Sequence, residues 1–190
     1  MFDAVILAGG RGARLGGVDK AAITIGDSTL LSRVVAAAAT ARVVVVVGPR
    51  QPLGRDVTWC LEQPRGGGPV AAIAAGLAHT QGEVVVVLAA DLPWIAPAVE
   101  RLLIALGQDH SADAAVIVDR VGRRNHLAAA WRRRSLNVGL TRLPSVQGAA
   151  VHTLFDEASV VEVADPGGDA ADCDTWDDVE AARARCRETM

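Results

Sequence analysis

Two unbroken apolar runs, Val43-Val44-Val45-Val46-Val47 and Val84-Val85-Val86-Val87-Leu88, constrain this chain more than any other feature. β-Branched side chains favour extended backbone, and without polar alternation neither face of these strands meets water. Strands buried on both faces belong to a mostly parallel sheet covered by helices on each side. Helical spacing follows each run or precedes it: residues 29–40 carry Leu30, Leu31, Val34 and Val35, and residues 70–79 are rich in Ala and Leu. Buried strands alternating with helices of about ten residues predict a doubly wound α/β fold with right-handed crossovers.

The remaining chain fits that frame. Residues 5–7 read as a first buried strand and residues 21–25 as a short extended piece, with Gly26-Asp27-Ser28 a turn able to cap the first helix. Residues 57–61 are a shorter strand, and residues 96–106 a helix with Leu102, Leu103 and Leu106 facing inward. Residues 113–118 and 127–131 are strands separated by an Arg-rich segment, residues 119–126. Short helices are expected over 132–140 and 146–155, a last strand over 159–163, and a closing helix over 175–187. Thr175 is a candidate N-cap for that helix, with Asp177, Asp178 and Glu180 in its first turns.

A length of 190 residues predicts one domain, residues 1–190. With 51% apolar but only 3% aromatic residues, its core must be built from Val, Ala, Leu and Ile. A net charge of -3 argues against a general nucleic-acid or membrane surface, so any anion binding is local. Asp3 stands where an export signal has positive charge, and no apolar stretch is long enough to span a bilayer. Cys60, Cys173 and Cys186 are odd in number and lack paired metal-ligand spacing. A soluble cytoplasmic protein with reduced thiols is expected.

The first strand stops at Gly9-Gly10, and five glycines among residues 9–17 allow the backbone to turn sharply and expose its amides. Converging amides form an anion-binding concavity, to which Arg11, Arg14 and Lys20 add cations. A P-loop requires Gly-Lys followed by Ser or Thr, whereas Lys20 lies between Asp19 and Ala21. A dinucleotide fingerprint counted from Gly10 and Gly12 requires Gly where Leu15 stands. Leu7-Ala8-Gly9-Gly10, Arg14-Leu15-Gly16 and Lys20 instead resemble the opening of the nucleotidyltransferases, and Gly16-Gly17-Val18-Asp19-Lys20 extends the resemblance to the MobA-like molybdenum cofactor guanylyltransferases. The resemblance implies a Rossmann-like fold akin to the nucleotide-diphospho-sugar transferases.

In an open parallel sheet, ligands lie beyond the carboxyl ends of the strands. The loop at residues 9–20, the loop at residues 62–69 and Asp91 all follow predicted strands and should open on one edge. Asp91 ends an apolar run, where a carboxylate is costly unless it faces a cation or caps the turn before Pro93. Ala90-Asp91-Leu92-Pro93 resembles the family's Asp-x-Pro element, which implies that Asp91 holds magnesium. Residues 171–179 resemble the family's C-terminal acidic stretch, implying Asp174 as second ligand with Asp172 as the alternative; capping of the last helix is the competing account. In Glu62-Gln63-Pro64-Arg65-Gly66-Gly67-Gly68-Pro69 the resemblance places Gly68-Pro69 beside the base and ribose, and Glu62 or Gln63 is either a base partner or a solvated loop residue.

Six arginines lie between Arg120 and Arg134, and Gly122-Arg123-Arg124-Asn125-His126-Leu127-Ala128 resembles the acceptor side of these enzymes; Arg132, Arg133 and Arg134 read as solvated residues starting a helix. The resemblance implies magnesium-dependent transfer of GMP from GTP to molybdopterin or its molybdenum form, with pyrophosphate released. Arg14, Lys20 and Asp91 would be catalytic; Leu7, Ala8, Gly9, Gly10, Arg11, Lys20, Glu62, Gly68 and Asp91 would bind nucleotide; Asp91 and Asp174 would hold the metal. A recipient molybdoenzyme or its chaperone follows as partner, and the chain itself is expected as a monomer or weak oligomer. Gly48-Pro49, Asp172, Asp174 and Trp176 depart from the guanylyltransferase pattern and leave a cytidylyltransferase as the alternative. An alternative of another class is a non-catalytic GTP-binding regulatory or cofactor-delivery module.

Overall fold

The computed structural model describes residues 1–10 and 15–188. The two valine runs form β4 (Val44–Val47) and β6 (Val84–Ala89), which flank β1 (Asp3–Leu7) in parallel, so that Val5 sits between Val45 and Val87. Alternate residues of each strand face opposite ways, as the pleat demands. Ala4, Ile6, Val44, Val46, Val86 and Leu88 face one core, while Val5, Val45, Val47, Val85 and Val87 face the other. Helices cover both faces, as doubly wound architecture requires: α1 (Leu30–Ala37) and α3 (Ala96–Gln108) lie over the first core, α2 (Pro69–Leu77) and α4 (Arg133–Arg142) over the second.

Among the described residues the main sheet has seven strands in the order β5-β4-β1-β6-β8-β7-β9, adding β5 (Thr58–Cys60), β7 (Ala114–Val118), β8 (Arg124–Arg132) and β9 (Val160–Ala164). Only β8 runs antiparallel to its neighbours. Its beginning therefore lies at the edge where the parallel strands end. The loop after β9 opens on that edge too, because β9 is parallel to β7.

A third, smaller core forms outside the sheet. A hairpin of β2 (Thr24–Ile25) and β3 (Ser28–Thr29) packs against α5 (Trp176–Glu188), burying Leu15, Ile23, Ile25, Leu30, Cys173, Val179, Ala182 and Cys186. Arg33 and Arg185 guanidinium groups stack on the Trp94 ring beside it, 4.7 and 4.9 Å from the ring centroid. The segment from Leu15 to Leu30 is thus packed against α5 outside the sheet. No described helix is long and apolar enough to cross a membrane.

Four expectations need correction. Residues 21–25 are not one extended piece: a 3-10 turn, Lys20–Ala22, precedes β2. Gly26-Asp27 turns the hairpin, and the cap of α1 is Thr29, whose hydroxyl accepts from the Ser32 amide at 3.1 Å. Only Val151–Leu154 within residues 146–155 is helical, and as a 3-10 turn, because its contacts hold Leu154 and Phe155 in the core without a longer helix. Arg132 ends β8 rather than starting a solvated helix, and it donates to the carbonyls of Leu106, Asp109 and Ala112, acceptors that the last turn of α3 and the connection after it leave open.

Two buried positions make the frame testable. A Cβ on Gly76 of α2 would lie 2.4 Å from Val5 Cγ1 and 3.0 Å from Val47 Cγ2, a clash with strand side chains that have nowhere to go. Gly76→Ala is expected to lower stability, since overpacking at the upper end of ~1–3 kcal/mol exceeds the ~1 kcal/mol gained from helix propensity; the urea midpoint measures it. Asp3 is fully buried and accepts from Arg42 at 3.0 and 2.8 Å and from the amides of Gln81 and Gly82 at 2.8 and 2.6 Å. Burial alone would raise its pKa, but the guanidinium and the two amides outweigh that and hold it below the usual carboxylate range. Its contribution to stability is present above the unfolded carboxylate pKa and is lost as pH falls through the depressed folded value, which Asp3→Asn should remove from an acid-unfolding curve.

Candidate functional site

Hydrogen bonds staple the carboxyl ends of the central strands into one rim. The Ala8 amide donates to Val47 O at 2.8 Å and the Ala90 amide to Leu7 O at 3.0 Å. A Cβ on Gly48 would lie 2.8 Å from the Ala8 carbonyl carbon, so only glycine lets the end of β4 approach this closely. Leu7, Ala8, Gly9 and Gly10 consequently line a cleft of about 370 Å3 together with Lys20, Glu62, Gly68 and Asp91. Arg11 and Arg14 lie outside the described residues.

Lys20 enters from the 3-10 turn, which Asp19 caps by accepting from the Ala21 amide at 3.1 Å. Asp91 follows β6, anchored by fully buried Leu92 and Ile95. The stretch that carries Asp174 is tied to it through the backbone, for the Cys173 amide donates to Asp91 O at 3.1 Å. Cys173 itself is buried in the third core, and burial followed by the nearby Asp91 carboxylate pushes its thiol up to about 12, which leaves it an anchor rather than a nucleophile.

The result is a cation between two carboxylates. Lys20 Nζ donates to Asp91 Oδ2 and, at 2.5 Å, to Asp174 Oδ1. Burial alone would lower the lysine pKa, but Asp91 and Asp174 raise it above its ordinary value, so the ammonium form is held. Asp91 Oδ1 is buried without a hydrogen-bond partner among the described residues. Asp172 faces the same group: burial, then repulsion from Asp174 and Asp91, raises its carboxyl pKa. Among the described residues no three His, Cys, Asp or Glu side chains form a closed metal cage. Two carboxylates with an unsatisfied oxygen suit magnesium, which takes few protein ligands and keeps water and phosphate oxygens in its shell.

The outer wall of the cleft is the loop from Glu62 to Pro69. Glu62 accepts from the Gly66 amide at 2.9 Å, closing the loop on itself. Gly68 adopts φ of +90° at the head of α2, a conformation L side chains rarely take. A Cβ on Gly67 would meet Ala71 Cβ at 2.9 Å and Pro64 O at 3.0 Å, so only glycine lets the loop fold this tightly onto the first turn of α2, while Gly66 and Gly68 line the cleft.

Beyond Asp91 lies a second groove of about 1030 Å3, bordered by Arg120, Arg123, Arg124, Asn125, His126 and Asp174. Leu127 borders both cavities, so the Lys20-Asp91-Asp174 group stands where they meet. Asn125 donates to Ala170 O at 3.0 Å and accepts from the Leu127 amide at 3.1 Å. Arg123 pairs with Asp119 and Arg124 with Glu162, each at 2.8 Å, while Arg120 donates to Pro166 O. Burial, then the nearby His152 and Arg124, lowers the His126 pKa and favours the neutral ring, which packs on Phe155 at 4.9 Å between centroids.

Sequence reasoning missed the groove's supports. Asp165 accepts from the Asp169 and Ala170 amides and pairs with Arg101 at 2.9 Å, while Asp169 pairs with Arg101 at 3.0 Å and Arg185 at 2.8 Å. Two arginines from different helices thereby fix the loop that leads to Asp174. The sequence signal was Asp165 and Asp169 framing Pro166-Gly167-Gly168, legible as a turn but silent about its cations.

The family model for the MobA-like NTP transferase domain matches residues 4–160. A molybdenum cofactor guanylyltransferase of Acidiphilium cryptum (strain JF-5) is 35% identical over 136 residues, 67% of this chain and 65% of that protein. The matched stretches span 55% to 65% of the curated relatives' own length. The structure is similar to molybdopterin-guanine dinucleotide biosynthesis protein A from Archaeoglobus fulgidus, with a TM-score of 0.75 at 21% identity over 98% of this chain and 99% of that one. It is also similar to 2-C-methyl-D-erythritol 4-phosphate cytidylyltransferase from Thermus thermophilus, with a TM-score of 0.74 at 20% identity over 96% and 98%. At these identities the structural likeness is one of fold.

Thr175, next to Asp174, makes the start of α5 testable. Its hydroxyl accepts from the Asp178 amide at 3.2 Å, and Asp178 in return accepts from the Thr175 amide and hydroxyl, each at 2.7 Å. This reciprocal cap, on the residue directly after Asp174, starts α5 at Trp176. Thr175→Ala is expected to cost ~1 kcal/mol in urea unfolding with an unchanged denaturant slope.

Proposed function

The chain belongs to the MobA-like NTP transferase family, and on that premise we propose that it transfers GMP from GTP to molybdopterin or its molybdenum form. The single observation that supports this reading is the meeting of Lys20, Asp91 and Asp174 between a glycine-lined cleft and an arginine-rich groove. In the reaction, an acceptor phosphate oxygen attacks the α-phosphorus of GTP, the bond from that phosphorus to the bridging oxygen breaks, and pyrophosphate leaves. The acceptor is already ionised, so no general base is needed, and the protein's task is alignment and charge stabilisation.

Each part of the site has a role in that task. The Gly9 and Gly10 backbone, Lys20, Arg11 and Arg14 hold the polyphosphate and the departing pyrophosphate. Glu62 and Gly68, with Leu7 and Ala8, border the nucleoside. Arg124, Asn125 and His126 front the acceptor, with neutral His126 offering a hydrogen bond rather than charge. Asp91 and Asp174 would hold magnesium, to which the unsatisfied Asp91 Oδ1 is suited. When bound, the ion supplies charge neutralisation at the phosphate oxygens. GTP and molybdopterin are thus the small-molecule partners of a cytoplasmic enzyme, with a recipient molybdoenzyme downstream.

The test is to offer GTP, CTP and ATP separately with magnesium and molybdopterin and to weigh the products. GTP should give the guanine dinucleotide and one pyrophosphate per turnover. A product from CTP alone would replace guanylyl by cytidylyl transfer, and GTP binding without pyrophosphate release would make the chain a sensor. Asp91→Ala should lower turnover roughly a hundred- to a thousandfold with the fold retained, and Lys20→Ala should weaken GTP binding more than guanosine binding.

A further inference from the structure

Lys20 is the only lysine in the chain, and its ammonium lies between the two carboxylates suited to a metal. The three groups come from far apart in sequence, 71 residues separating Lys20 from Asp91 and 154 separating it from Asp174. The side chains of Lys20 and Asp91 are only 14% and 18% exposed, so water screens their attraction weakly. A divalent ion on Asp91 Oδ1 would lie close to the ammonium that holds Oδ2 of the same carboxylate, where two cations repel strongly. The lysine stem has four rotatable carbons, and Gly9 and Gly10 line the same cleft, so the ammonium has a second destination within reach.

We infer that Lys20 and a divalent cation are alternative occupants of the Asp91-Asp174 pair, so that metal entry expels the ammonium and turns it toward the polyphosphate turn. The inference rests on the metal reading of this pair and adds a coupling to it. Without metal, Lys20 is withheld from anions and the two carboxylates are neutralised within the protein. With metal, the same lysine becomes free to meet phosphate. Metal and polyphosphate then enter cooperatively, because each favours the arrangement that the other needs.

The test uses the nucleotide-free full chain. Mn2+ binding, read from the electron paramagnetic resonance signal of the free ion, is expected to be at least tenfold tighter in Lys20→Met than in the wild-type chain. Because there is one lysine, 13C-lysine labelling gives one Cε resonance. In the wild-type chain it should move during a Mg2+ titration, while the reaction of Lys20 with trinitrobenzenesulfonate speeds up over the same concentrations. Equal Mn2+ affinity in the two folded proteins, or a lysine resonance and reactivity unmoved at saturating Mg2+, would overturn the exchange. Neither readout involves nucleotide or turnover, so failure here leaves GMP transfer standing, and absence of GMP transfer leaves the exchange standing. The wild-type titration decides the question even where Lys20→Met does not fold.

Discussion

Parallel pairing of β1 with β4 and β6 is the constraint from which the rest of the structure follows. Parallel strands cannot be joined by tight turns, so each connection must cross over the sheet, and the loops that begin those crossings collect on one edge. The Gly9-Gly10 turn, the Glu62–Pro69 loop and Asp91 meet because their strands run the same way, not because they attract one another. Glycines at positions 48 and 76 serve this frame from either end: one lets β4 close on Ala8, the other lets α2 settle onto Val5 and Val47.

A parallel edge alone would leave the site half built. The single antiparallel strand, β8, brings Asn125 and His126 to the edge by their position at its start rather than at its end. The loop after β9 brings Asp172 and Asp174 from the far side of the sheet, held by Arg101 and Arg185 on Asp165 and Asp169. These ion pairs are partly buried, Asp165 shares its carboxylate with two backbone amides and Asp169 shares its own between two arginines, which gives them more weight than separate surface pairs. Their effect is positional: they fix the path of the chain into Asp174.

The third core gives this arrangement its mechanical footing. Leu15, from the far end of the glycine turn, and Cys173, next to Asp174, are buried in one apolar cluster under α5. Segments that carry opposite charges in the site are therefore held by neutral contacts outside it. That division separates the apolar packing of these segments from the lysine and carboxylates they carry.

The sheet and its carboxyl edge were legible in the sequence, since continuous valine runs leave a strand no solvent face and parallel topology then orders the loops. The loops that carry Gly9, Gly10, Lys20, Glu62, Gly68 and Asp91 were placed on one edge on those grounds, while the individual residues came from the resemblance, and these residues line one cleft. What sequence patterns left open was non-local. The antiparallel direction of β8, the bonds from Arg132 to three carbonyls, the arginine support of the 165–174 loop and the lysine bridge between Asp91 and Asp174 each join residues on different elements of the chain. Local propensity and hydrophobic period act over a turn of helix or a few residues of strand, so they determine which elements form and, through parallel topology, which edge the loops open on. Only the packed chain decides which charge faces which, because that depends on the burial and approach of groups that never meet in sequence.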